Sequence, residues 1–136
     1  MEMSKDEGAL SQGSRAERLK AALSKLRESG VEASAAISRD GSLLAADMPP
    51  GEEHKIFAPM YAAMLGAAEE ATSELRLGVP RRVVMEVGDK KLIAVGAGPL
   101  ALIVAVVEPG AQYNKAVTDI DKAASEIKAI LASPGG

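Results

Sequence analysis

Residues 100–107 read Leu-Ala-Leu-Ile-Val-Ala-Val-Val, eight apolar side chains with no polar one among them. A strand with one wet face alternates apolar and polar residues, so this run marks a strand covered on both faces, the middle of a sheet. The rest of the chain can be placed by asking what covers it. At 136 residues the length suits one domain, able to bury roughly two thirds of its unfolded surface without staples. No cysteine is present, which removes disulfides, thiolate metal ligands and thiol nucleophiles.

Residues 1–13 and 133–136 are rich in Ser, Gly and charge and poor in large apolar groups. We expect them to form a disordered tail and end around a single domain at 14–132. Ser14-Arg-Ala-Glu17 fits a capping box, and Ala16, Leu19, Leu23 and Leu26 then fall on one helical stripe that Gly30 terminates. Residues 31–38 and 43–47 flank Arg39-Asp40-Gly41-Ser42, which predicts a hairpin with a tight primed turn. In this reading Asp40 and Gly41 are turn residues and not ligands. Met48-Pro-Pro-Gly51 closes the second strand, because neither proline can donate to a ladder.

Residues 52–77 predict the longest helix, with Pro59 marking either its first turn or a kink. Ile56, Met60, Ala63, Met64, Ala67, Ala71 and Leu75 form a broad apolar face, while Ala58, Ala62, Gly66 and Ser73 form a ridge of small residues on the other side. The first three turns have almost no polar face, so the broad face is expected on the chain's own sheet and the small ridge against a second helix. Residues 81–87 then alternate as a less buried strand suited to a sheet edge, with Val83, Met85 and Val87 on one side and Arg82, Val84 and Glu86 on the other. Residues 91–97 follow. Gly96-Ala-Gly98 superficially resembles a phosphate loop, but Pro99 and a strand come next instead of a helix, so a hairpin turn is the better reading. Ile120, Ala123, Ala124, Ile127 and Leu131 predict a last helix at 114–132, with Lys115, Asp119, Lys122, Glu126 and Lys128 on its solvated face.

Functional chemistry is sparse. Residues 31–80 carry eight acidic and three basic side chains, and Phe57, Tyr61 and Tyr113 are the only aromatic residues, a poor endowment for nucleic acid. The lone histidine, His54, sits among Glu52, Glu53 and Lys55 as a surface imidazole. Glu70 and Glu74 are spaced to hold a cation, but carboxylates late in a surface helix are normally solvated. No hydrolase, Walker, zinc or dinucleotide fingerprint occurs. We therefore expect no enzyme activity, cofactor or metal. The start of the chain lacks a signal-peptide layout and no apolar run approaches the ~18 residues of a membrane span, so a soluble cytoplasmic protein is expected.

The order helix, hairpin, long helix, three-strand meander, helix resembles the roadblock (dynein light chain roadblock-type) domain family over residues 15–132. The likeness is carried by Gly30-Val31 entering the first strand, Asp40-Gly41 before Leu43-Leu44-Ala45, the Ala-rich second helix, and the apolar fifth strand ending in Glu108-Pro109. Pro59 and the low aromatic content depart from the pattern. The resemblance implies an α+β, profilin-like fold: a five-stranded antiparallel sheet in order 2-1-5-4-3, helix two on one face and helices one and three on the other. It also implies dimers formed by pairing third strands and packing second helices, which here would use Ala58, Ala62, Gly66, Ser73, Arg82, Val83, Val84, Met85 and Glu86. Prokaryotic members are often partners of small Ras-like GTPases, so the expected role is a homodimeric GTPase regulator, with a small-molecule sensor or a general dimerisation scaffold as alternatives.

Overall fold

In the computed structural model, which describes residues 13–133, Ser14 opens the first helix as its sequence dictates. The Ser14 hydroxyl accepts the Glu17 N–H at 3.1 Å, and the Ser14 N–H donates to Glu17 Oε1 at 2.9 Å. Helix α1 (Arg15–Ser24) tightens into a 3-10 turn at Lys25–Ser29 and stops at Gly30, whose φ of 87° is the left-handed cap. The tail and end expected at either terminus fall almost wholly on residues 1–12 and 134–136, which lie outside the described residues.

Strands β1 (Val31–Ser38), β2 (Leu43–Asp47), β3 (Val83–Val87), β4 (Lys90–Gly96) and β5 (Ala101–Val107) form one antiparallel sheet in the order β2-β1-β5-β4-β3. The apolar run is the middle strand, and every residue of β5 except Val106 is buried. Alternation along the strands divides the core in two. On one face Ala36, Ile93, Val95, Ile103 and Ala105 meet Leu19, Leu23 and Leu26 together with Ile120, Ile127 and Ile130 of helix α3 (Tyr113–Ala132). On the other, Ala35, Ile37, Leu102 and Val104 meet Ala58 and Leu65 of helix α2 (Ala58–Glu74).

Local geometry departs from expectation at the β1–β2 loop and the end of α2, and at Pro59 it decides between the first turn and a kink. The β1–β2 loop is not a primed turn, which requires positive φ at both central residues. Neither Arg39 nor Asp40 has one; the positive φ falls on Gly41 at 94°. The Gly41 N–H donates to the Ser38 carbonyl at 3.0 Å and the Ser38 N–H to the Ser42 carbonyl at 2.8 Å, so an unprimed turn is followed by a left-handed glycine. Next, Pro59 sits in the first turn of α2, where no backbone donor is missed, and the residues before it form a separate 3-10 turn, Glu53–Lys55. Finally, α2 closes before Gly78. The Leu77 N–H reaches the Thr72 carbonyl and the Arg76 N–H the Ser73 carbonyl, both at 2.9 Å, with Arg76 itself at φ 60°. This is a Schellman closure with arginine where glycine is usual. At 17 residues α2 is therefore shorter than α3, at 20.

Candidate association surface

Helix α2 presents Ala58 and Ala62 of its small stripe to the sheet, where its sequence led us to expect the broad apolar face. Ala58 is 5% exposed and Ala62 half-buried, both packed with Leu65 and Tyr61 over Ile37, Leu92, Leu102 and Val104. The physical reason is economy of space: Leu65 and Tyr61 fill the gap over the strands, and the alanines between them let the helix backbone settle close. Most of the broad apolar side is left outward, while Ile56 packs inward against the cluster beneath the helix. Met60 is 65% exposed and Leu75 70%, with Ala63, Ala67 and Ala71 exposed between them and Met64 half-buried. Phe57, Leu77 and Val79 extend the same apolar exposure beyond the helix ends.

The remaining residues expected at an interface are divided. Gly66 and Ser73 are exposed, and a Cβ at Gly66 would meet nothing within 4 Å. Strand β3 pairs only with β4, so its other edge is free. Val84 and Glu86 are exposed and Met85 half-buried. Val83 packs beneath α2. Arg82 is turned to the opposite face, where it donates to Asp121 Oδ2 of α3 at 2.9 Å. An unpaired edge is a template for another strand, and an apolar helix side beside water is a liability unless covered.

One contact that periodicity cannot reveal holds α2 in place. Arg39 leaves the β1–β2 loop, donates from Nη1 to Glu69 Oε1 at 2.8 Å and from Nη2 to the Gly98 carbonyl at 3.1 Å. A Cβ at position 96 would lie 2.8 Å from Arg39 Nη2, so the glycine in β4 makes room for the guanidinium. The available signals were a carboxylate, Glu69, at helical spacing from Ala58, Ala62 and Leu65, and a glycine interrupting a strand. Beneath the start of α2 lies a hollow of about 210 Å³, lined largely by Ala33, Ala35, Ile56, Leu92, Val104 and Val106. It is apolar and smaller than the usual small-molecule site of roughly 300–1,000 Å³. Among the described residues no group of three or more His, Asp or Glu side chains is placed to hold a metal ion, and no helix is long and apolar enough to cross a membrane.

These features define a class: an α+β domain of profilin-like architecture in which one sheet face is sealed and the other carries an apolar helix side and a free strand edge. The chain belongs to the Roadblock/LC7 domain family, which matches residues 16–107. It is 30% identical over 107 residues to an uncharacterized protein of Methanocaldococcus jannaschii, covering 77% of this chain and 88% of the relative. Among solved structures, MglB in a tetrameric arrangement superposes with a TM-score of 0.75 at 25% identity, covering 87% of this chain and 90% of that one. Profilin II of Acanthamoeba castellanii shares the fold at a TM-score of 0.58 and 19% identity, covering 76% and 90% respectively.

Proposed function

We propose that this chain is a homodimeric, non-enzymatic adaptor that binds a small Ras-like GTPase and modulates its GTP hydrolysis. The observation carrying the reading is the outward side of α2, where Met60, Ala67, Ala71 and Leu75 remain exposed while the edge of β3 is unpaired. Two-fold pairing of β3 with a second copy extends the sheet and removes the edge. Methionine and aromatic groups such as Met60 and Phe57 are the side chains that interface centres favour. The likeness to an MglB that assembles as a tetramer supports self-association, and the roadblock resemblance supplies the GTPase.

The test is affinity capture from a lysate of the source organism, supplemented with GDP or a non-hydrolysable GTP analogue. The expected result is a small GTPase retained in one nucleotide state, with its hydrolysis rate altered when the purified pair is mixed. Folded protein that retains no GTPase in either state contradicts the proposal.

A further inference from the structure

The β4–β5 turn and the middle of α3 border an open surface hollow of about 330 Å³ whose lining includes Arg81, Gly96, Gly98, Asp121, Ser125 and Lys128. Four cations surround this turn, and two of them are already engaged. Arg39 pairs with Glu69 on the other face of the sheet, and Arg82 pairs with Asp121 at the wall of the hollow. Arg81 and Lys128 have no ion-pair partner among the described residues, and the Ser125 hydroxyl has no hydrogen-bond partner there. On a chain of net charge -3, two cations without ion-pair partners lining one concavity are a local reversal of sign.

The turn is shaped to hold one of those cations. Gly98 has φ 82°, and a Cβ there would lie 2.7 Å from Lys128 Cγ and 3.2 Å from Cδ. Glycine thus allows the turn and leaves room for the stem of Lys128, an exposed residue of α3, to pass beside it at the hollow. We propose that this hollow binds a small phosphorylated anion, with Arg81 supplying paired guanidinium donors, Lys128 a point charge and Ser125 a hydroxyl donor. An arginine fork matches phosphate oxygens two at a time, and an ammonium adds charge without fixing geometry. Asp121, already neutralised by Arg82, leaves that balance positive. The arrangement is not a phosphate loop, since a strand and no helix N-terminus follows Gly98; recognition rests on side chains from β3's approach, the turn and α3.

Inorganic pyrophosphate titrated at constant ionic strength, followed through the amide resonances of Gly96, Ala97, Gly98 and Ser125, tests the site. The expected result is saturable shifts with a dissociation constant near ~1 mM or tighter. Arg81→Gln or Lys128→Met should each weaken binding about tenfold, as loss of one charge-assisted contact does. Methionine keeps an unbranched stem against Gly98, so the turn survives, and Lys20→Gln on α1 should change nothing. Co-sedimentation with phosphatidylcholine vesicles containing phosphatidic acid, lost in the same variants, would assign the phosphate to a lipid headgroup; pyrophosphate binding alone assigns a free ligand. Absence of saturation with both probes, or binding indifferent to both substitutions, overturns the site.

Discussion

The two faces of the sheet are built from the same strands and finished differently. Beneath α1 and α3 a single cluster holds nineteen buried apolar residues, and the outward side of α3 is charged with Lys115, Lys122, Glu126 and Lys128. Beneath α2 the cluster has six, of which the helix supplies only Ala58 and Leu65, and its outward side is apolar for most of its length. An amphipathic helix completes a core; a helix apolar on both sides has a second surface to bury. The first face therefore carries most of the chain's own core, and the second is the one proposed to be covered by a second copy.

The largest expected effect separates the faces directly. Ile103→Ala opens a cavity in the sealed core and should cost about 2–5 kcal/mol in urea denaturation, whereas Met60→Ala in dilute, dissociated protein should cost under ~0.5 kcal/mol. Comparable losses would erase the distinction. Next comes the tie between α2 and the sheet. Arg39→Met leaves the half-buried Glu69 carboxylate unpaired, for an expected loss of about 1–2 kcal/mol, and adding Glu69→Gln should recover part of it if the pair is what matters.

The element order and the central place of β5 could be read from the chain because both rest on periodicity, and the capping box at Ser14 because it is local. The orientation of α2 could not. With alanine and methionine on one side and alanine and glycine on the other, no polar arc chose between them, and the choice fell to what fits over Leu92, Leu102 and Val104. Arg39 was equally hidden: its partners Glu69 and Gly98 are 30 and 59 residues distant, and only the folded sheet brings them together. The end of α2 was misplaced because Arg76, and not a glycine, takes the left-handed position.

That last point yields a smaller prediction of opposite sign. Arg76→Gly relieves a positive φ and should stabilise the chain by about 1 kcal/mol, raising the melting temperature by a few degrees without disturbing either face. Smaller still is a pH effect confined to the sealed side. Lys115, by its hydrogen bond at 2.7 Å, and then the Ser29 hydroxyl hold the Asp119 carboxyl below its ordinary range. A depressed folded-state pKa means stability that is fully present above the unfolded carboxylate value and is lost as pH falls through the folded one. Unfolding free energy should therefore decline in that acid window more steeply for wild type than for Asp119→Asn.

The central claim, that the exposed side of α2 is buried by a second copy, is tested most directly by light scattering at tens of micromolar. Ala67→Glu is the variant of choice, because position 67 is exposed in the single chain, while a charge at position 62 would strike the chain's own core. Wild type should weigh twice the 14.0 kDa chain, and Ala67→Glu should weigh as one chain with unchanged circular dichroism, since a buried unpaired carboxylate opposes association and not folding. A monomeric wild type, or a variant that remains dimeric, would contradict the account.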